Sequence, residues 1–289
     1  MTNEQQGSWA ADPTGTHQYR WWDGTSYTDT VADGDVVSVD PMMVAGHPVV
    51  RPFSLLVYGE SKIGKSHLMT TAPAPRLIAD IEGQMDHLPG FDSWYKWDLI
   101  GAPPENETTY VLLQDYDKFN RLYQWLNSGF HPFSSFCIDS ITELQDRCMD
   151  KIAPGRAMEQ QGWGELLRTM HGAIRQLRDL RIRDNGMKAL PVLCATAQMR
   201  EQNSRKIPHV QGQLAVRLPY AFDVVGYYAP VVYEGGGRAR RLNIMPNAYG
   251  LYEAGSRYED ELGEFVDNPN IEQMINRIVA VRAAGGVHQ

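Results

Sequence analysis

Apolar runs of strand length alternate with helix-periodic segments through most of this 289-residue chain. Phe53-Ser54-Leu55-Leu56-Val57-Tyr58 is nearly continuous in its apolar character, the pattern of a strand buried on both faces. Ser66 to Ala72 then predicts two turns of helix stopped by Pro73. Leu77-Ile78-Ala79-Asp80-Ile81 predicts the next strand, and Phe119, Leu122, Tyr123 and Leu126 recur at helical spacing. Phe136-Cys137-Ile138 reads as a further strand followed by a helix from Ile141 to Met149. Leu166, Met170, Ala173, Ile174 and Leu177 mark one helix face, with Arg168 and Arg175 opposite, before a strand at Pro191-Val192-Leu193-Cys194-Ala195-Thr196. Strands and helices in alternation predict an α/β domain with a mostly parallel sheet flanked by helices. Its chemistry should gather at the carboxyl ends of the strands.

Residues 1–34 follow another pattern. Trp9, Tyr19, Trp21, Trp22 and Tyr27 sit among the turn pairs Asp12-Pro13, Thr14-Gly15 and Asp23-Gly24, which predicts short aromatic strands in a small β module. In so small a module the aromatics serve either as its core or as an exposed partner surface. Residues 35–50, with their Asp, Gly and Pro, predict a linker holding one short strand at Val36 to Val39, and 51–289 make up the α/β domain.

Composition narrows the function classes. A hydrophobic fraction of 43% with 21% charged residues supports a folded core. The polar start Met1-Thr2-Asn3-Glu4-Gln5-Gln6 lacks a signal-peptide core, and no apolar run reaches membrane-spanning length, so the expected location is cytoplasmic with no membrane partner. A net charge of −8 argues against coating duplex DNA by bulk electrostatics. One stretch departs from that balance: Arg168, Arg175, Arg178, Arg181, Arg183, Lys188, Arg200, Arg205 and Lys206 face only Asp179, Asp184 and Glu201. It is either a solvated helix face or a local polyanion patch. Cys137, Cys148 and Cys194 form no C-x-x-C pair and read as buried thiols, and the histidines show no metal-binding spacing.

The most specific signal is Gly59-Glu60-Ser61-Lys62-Ile63-Gly64-Lys65-Ser66, a complete Gly-x-x-x-x-Gly-Lys-Ser phosphate loop directly after an apolar strand. Glycines let successive backbone N–H groups turn toward phosphates, Lys65 reaches the β/γ oxygens, and the Ser66 hydroxyl ligates Mg²⁺. His67 lies just behind the loop, at its edge or on a structural helix face. ATP and Mg²⁺ are therefore the expected cofactors.

Strand ends supply the remaining chemistry. Asp139 stands where Phe136-Cys137-Ile138 runs out, the position of a Walker B carboxylate that holds Mg²⁺ through water, or of a simple helix cap. In Asp80-Ile81-Glu82-Gly83, Glu82 is the candidate general base that orients the attacking water, with Asp80 the alternative. In Ala195-Thr196-Ala197-Gln198, Gln198 offers an amide to the γ-phosphate unless it merely faces solvent. The polar segment Glu201 to His209 that follows is expected to order on ligand binding. Trp163 either stacks on a base or is buried.

The order Gly-x-x-x-x-Gly-Lys-Ser, Asp-x-Glu-Gly, Ile-Asp-Ser and Ala-Gln resembles the RecA-like ATPases, and among them the compact phage-encoded members that act in single-strand annealing and recombination. The likeness spans most of Arg51 to Ile278, including Ile138 to Leu144, Gly212-Gln213-Leu214, Leu218 to Tyr227 and Asn268-Pro269-Asn270-Ile271. It implies a RecA-like P-loop NTPase core that hydrolyses ATP, assembles as a ring or filament of identical subunits, binds single-stranded DNA and works beside a single-strand-binding protein. It assigns Glu82 as catalytic glutamate, Gln198 as nucleotide sensor, and residues 200–216 as a disordered DNA-contacting loop in which Arg200, Arg205 and Lys206 act with the Arg168/Arg175 face. Relatives place a Lys-x-Arg or Lys-x-Lys pair where it reaches the neighbouring subunit's γ-phosphate. Here Gly255-Ser256-Arg257 lacks the first basic residue, so Arg257 acts alone or Arg238, Arg240 and Arg241 of the hairpin around Gly235-Gly236-Gly237 substitute. Those hairpin arginines read equally as solvated or DNA-facing, and slow turnover is expected. A hexameric helicase-type motor, a non-hydrolysing nucleotide-binding scaffold and a small-molecule kinase are the alternatives. Separately, Ser8 to Gly15 and Arg20-Trp21-Trp22-Asp23-Gly24 through Tyr27-Thr28 resemble a small actinobacterial domain of unknown function, which implies an actinobacterial or phage source. Tyr27 replaces that domain's final Trp.

Overall fold

A computed structural model describes residues 7–12, 17–22, 27–34, 36–39, 43–44, 47–48, 52–104, 106–182 and 188–285. The expected turns at Pro13 to Gly15 and at Asp23-Gly24, together with Arg183 and Asp184, lie outside them. The chain divides into two compact units, Met1–Arg51 with Ile275–Gln289, and Pro52–Met274.

In the first unit β1 (Ser8–Ala11), β2 (Tyr19–Trp22), β3 (Tyr27–Asp33) and β4 (Val36–Val39) form an antiparallel sheet in sequence order. The short strand expected in the linker is thus the fourth strand of the module. The linker also holds a two-residue pairing of β5 (Met43–Val44) with β6 (His47–Pro48). An ion pair is buried in this unit: Arg20 is fully buried and donates to Asp12 at 2.8 Å and to the Thr28 carbonyl at 3.0 Å, while Trp21 and Trp22 are half-buried. Trp9 and Tyr19 are exposed, with Trp9 edge-on to Trp21 at 5.4 Å.

The second unit is built on one large sheet. Its elements are β7 (Phe53–Gly59), α1 (Lys65–Met69), β8 (Arg76–Asp80), β9 (Tyr95–Lys96), β10 (Thr108–Leu112), α2 (Tyr116–Asn127), β11 (Ser135–Asp139), α3 (Ile141–Ile152) and α4 (Gln160–Asp179). These are followed by β12 (Val192–Gln202), β13 (Arg205–Pro208), α5 (Leu214–Arg217), β14 (Val224–Val232), β15 (Arg238–Asn243), β16 (Gly255–Ser256), α6 (Glu259–Leu262) and β17 (Phe265–Asp267). A last helix, α7 (Ile271–Gly285), begins in this unit. The strand order is β17-β15-β14-β7-β12-β11-β8-β10-β9, with β13 on β12 and β16 on β14. Pairing is parallel from β14 across to β9 and antiparallel at β15, β16 and β17. Because β12 is inserted between β7 and β11, the phosphate-loop strand and the Asp139 strand are not direct neighbours. The result is an α/β core with a mostly parallel sheet flanked by helices.

Local sequence explains the central elements. All of β7 and all of β11 are buried, as their unbroken apolar runs require. Each such Leu, Ile or Val removed from water contributes on the order of 1.5–3 kcal/mol. On α4 the buried residues are Leu166, Met170, Ala173, Ile174 and Leu177, the face expected from their spacing, while Arg168 and Arg175 point outward. Asp115 caps α2 by accepting from the Lys118 N–H at 2.7 Å, and Ser140 caps α3 by accepting from Glu143 at 3.3 Å.

One expected loop is not a loop. The segment after Gln198 continues β12 to Gln202 and returns as β13, with Gln202 opposite Arg205 and Met199 opposite Pro208. Asn203 and Ser204 turn the chain with φ of 52° and 59°, the left-handed pair that closes a two-residue hairpin. An Asn at the first turn position and alternating side chains beside it favour this ordered hairpin over the disordered loop implied for 200–216.

Candidate functional site

Four strands reach one cleft. Gln198 of β12 pairs with Gly59 of β7, and Asp139 of β11 with Asp80 of β8, so the phosphate loop, the sensor position and the carboxylates share one edge of the sheet. The cleft has a volume of about 940 Å³ and is lined by Gly59 to Lys62, Gly64 to His67, Asp80, Glu82, Asp139, Gln198 and Arg240, with Gln84, Met85 and His87 to Pro89 along its far side.

The loop has the shape its glycines call for. Gly64 takes a φ of 104° immediately before α1, a left-handed geometry that a side chain would strain. Lys65 folds back across the loop and donates to the Gly59 carbonyl at 3.0 Å and to the Glu60 carbonyl at 2.7 Å. Burial lowers the Lys65 ammonium below its ordinary value, while the nearby Asp139 and Glu82 charges pull the other way. Anionic phosphates entering the cleft would pull it upward again.

Asp139 is almost completely buried and accepts from the Ser66 and Thr196 hydroxyls. Burial raises its carboxyl, and those two hydroxyls counter the shift. Asp139 does not cap α3, since the neighbouring Ser140 does. A hydroxyl and a carboxylate held side by side are the hard oxygen donors that suit Mg²⁺, which keeps waters and phosphate oxygens for its remaining positions. Among the described residues no three His, Cys, Asp or Glu side chains form a metal cage, and Mg²⁺ bound in this manner needs none.

The two acids of the β8 end differ in role. Asp80 is buried and accepts from the Gly83 N–H at 2.7 Å, pinning the turn. Burial pushes its carboxyl up to about 6, against the Gly83 bond and with help from the Asp139 charge. Glu82 is exposed to the cleft, and its carboxylate accepts from the Ser140 hydroxyl at 2.7 Å. Ser140 therefore joins the Asp139 strand end to Glu82. Neither Ser140 nor Thr196 was singled out from the sequence; a hydroxyl next to a strand-end acid is too common to stand out alone.

The Gln198 side chain is exposed to the cleft, while its backbone is held on both sides: its N–H donates to the Thr142 hydroxyl at 3.0 Å and its carbonyl accepts from His209 at 2.7 Å. The β12–β13 hairpin thus starts at the cleft wall. Lys206 on that hairpin donates to the Tyr227 hydroxyl at 2.7 Å and lies 3.9 Å from the Glu60 carboxylate. Arg205 is exposed near the turn and Arg200 is half-buried. Trp163 is 40% exposed and lines a separate 320 Å³ pocket with Gln145, Leu167 and residues 211–213.

Arg257 is not part of this cleft. It follows β16, which pairs with the first residues of β14, and its guanidinium lies 3.5 Å from Asp223 at the opposite end of the sheet. Space does not explain Gly255: a Cβ there would meet nothing within 4 Å. The hairpin arginines separate into three situations. Arg238 is exposed, and Arg241 is clamped by Asp267 at 2.7 and 2.9 Å with its guanidinium over Phe265. Arg240 is exposed and lines the phosphate-loop cleft. Antiparallel pairing sends alternate β15 side chains to opposite faces, a distinction that a run of arginines does not display by itself.

Comparison with known proteins bears on the whole core. No curated protein matches the chain. Among solved structures, the flagellar accessory protein FlaH from Methanocaldococcus jannaschii is similar at 9% identity and a TM-score of 0.35, covering 73% of this chain and 85% of that one, a likeness too slight to bear on function. A family model described as an AAA domain matches residues 51–258, the span from just before β7 to just after β16 that holds every residue of the cleft. With a phosphate loop, a strand-end aspartate and a mostly parallel sheet in that span, the chain belongs to the AAA-domain family of nucleotide-binding proteins.

Proposed function

We propose that this protein is a Mg²⁺-dependent ATPase that binds single-stranded DNA and uses the nucleotide to control that binding, in phage recombination or strand annealing. The observation that carries the reading is the Gln198 hairpin. One strand, β12, both walls the nucleotide cleft with Gln198 and continues into a segment bearing Arg200, Arg205 and Lys206.

The residues divide the work. The loop N–H groups and Lys65 hold the phosphates, and Ser66 with Asp139 would hold Mg²⁺, which supplies charge neutralisation at the β/γ oxygens. Glu82, oriented by Ser140, accepts the proton of the attacking water. Gln198 donates its amide to the γ-phosphate. Loss of that contact on hydrolysis is transmitted along β12, because Thr142 and His209 fix the Gln198 backbone and leave the side chain and the hairpin beyond it to respond. The Lys206 to Glu60 contact gives the hairpin a second attachment to the phosphate loop. Exposed Arg168 and Arg175 on α4 add backbone-neutralising charge, so binding should be tolerant of sequence and sensitive to salt. Self-assembly into a ring or filament would bring Arg257 of one subunit toward the next subunit's cleft.

Fluorescence anisotropy of a labelled oligo-dT, titrated with protein in Mg²⁺ with ATP, ADP or no nucleotide, tests the reading. Binding should tighten with ATP and weaken in Arg205→Ala. Absence of binding in all three states, while ATP itself binds, would reject the DNA role and favour the nucleotide-binding scaffold.

A further inference from the structure

We infer that Arg240 is a phosphate ligand supplied by the same chain, its guanidinium closing on the phosphate oxygens of a nucleoside triphosphate held by its own phosphate loop. The inference deepens the nucleotide reading of the cleft and rests on it.

The register of the sheet delivers the residue. Tyr228 of β14 stands opposite Gly59, the first glycine of the loop, and Pro230, two positions further on, stands opposite Arg240. β15 therefore crosses just beyond the carboxyl end of β7. There the guanidinium lies directly on the loop: a methyl group placed on Gly64 would stand 2.8 Å from Nη1 and 3.1 Å from Cζ of Arg240. The backbone beneath it is held by a reciprocal pair of bonds, Arg240 N–H to the Asn268 side chain at 3.1 Å and Asn268 N–H to the Arg240 carbonyl at 2.7 Å. Three residues on, Ile271 and Glu272 donate to Thr71, just past the end of α1. Strand, loop and helix are thereby braced against one another.

Charge completes the case. Arg241, the next residue, is neutralised by Asp267, yet among the described residues no carboxylate lies within ion-pair distance of Arg240. The carboxylates of the cleft, Asp139 and Glu82, act on Lys65 instead. The Tyr228 hydroxyl touches this guanidinium without neutralising it, so an exposed planar cation rests on the phosphate loop and matches phosphate oxygens in both charge and fork geometry. Arg257 cannot fill this place within one chain, since it sits at the far end of β14.

Isothermal titration of ATP into the full chain, alongside Lys65→Ala, Arg240→Gln and Arg238→Gln, tests the assignment. Arg240→Gln should weaken ATP binding about tenfold, the loss of one charge-assisted contact at a partly exposed site, whereas Arg238→Gln should stay within about twofold of wild type. Should Arg240→Gln melt early, Arg240→Met keeps the aliphatic stem over Gly64 and carries the same test. Wild-type affinity in a folded Arg240 variant overturns the inference and leaves the nucleotide site standing. Failure of the wild type itself to bind ATP overturns the nucleotide reading. An equimolar mixture of Lys65→Ala and Arg240→Gln chains distinguishes the source of the guanidinium: recovery of wild-type affinity would place it on a neighbouring subunit and overturn the same-chain assignment.

Discussion

At the amino end of β14 the Asp223 carboxylate accepts from the Ser54 N–H and hydroxyl at 2.9 Å each and from Arg181 at 2.5 Å, with Arg257 3.5 Å away. At the carboxyl ends of β11 and β8, Asp139 and Asp80 are buried with hydroxyl and backbone donors, and the nearest cation, Lys65, is bonded to loop carbonyls. Both ends belong to one sheet and both bury aspartate. The amino end closes its electrostatics within the chain, while the carboxyl end leaves Asp139 and Asp80 raised and Lys65 lowered. A charge set that is incomplete without a ligand is what a binding site requires, at a cost to stability that the paired end helps to offset.

Removing the paired end should have the largest effect. Asp223→Ala leaves Arg181 buried without its partner and should cost about 3–5 kcal/mol in urea unfolding. A loss under about 1 kcal/mol would show that the amino end is not the stabilising one. Next, Lys65→Ala should lower ATP affinity at least about 100-fold, roughly 3 kcal/mol, without lowering the melting temperature of the ligand-free protein. Unfolding of that variant would mean that the lysine serves the fold.

Asp80→Asn should act in the opposite direction. The folded carboxyl titrates near 6 against an ordinary value of 3.8, so its favourable contribution is complete below about pH 4 and is lost as pH rises through 6. At pH 8 without nucleotide the amide should therefore stabilise the protein by about 1–2 kcal/mol, discounted for the opening of the cleft, and the gain should vanish by about pH 4. A pH-independent effect in thermal melts would remove the charge explanation. The smallest change is expected from Arg257→Ala, whose side chain is 68% exposed: under about 1 kcal/mol in stability, with any loss of turnover appearing only in the assembled protein.

Much of this was legible from short-range pattern. The apolar runs at 53–58 and 136–138 and the helix face of Leu166 to Leu177 appear as buried strands and a buried stripe, because burial on two faces or one leaves a direct periodic trace. The phosphate loop, Asp139 and Glu82 stood out because each lies where an apolar run stops, and Gln198 because it follows the buried stretch of β12, whose strand runs on to Gln202. The polar segment after Gln198 misled: its composition suited a loop, while its Asn203-Ser204 turn and alternating side chains made a hairpin. In the first module the aromatic residues drew the eye, while the buried Arg20–Asp12 pair joins residues eight apart that no periodic pattern links.

The sequence alone determined that a phosphate loop opens an α/β core, because glycine spacing and strand burial are local constraints written in adjacent residues. Only the tertiary structure decided which of three hairpin arginines reaches the loop, that Arg257 lies at the far end of the sheet, and that Ser140 and Thr196 bond to the cleft acids Glu82 and Asp139. Those outcomes depend on strand order and register, which bring together residues as distant as Gly64 and Arg240 and which no local pattern records.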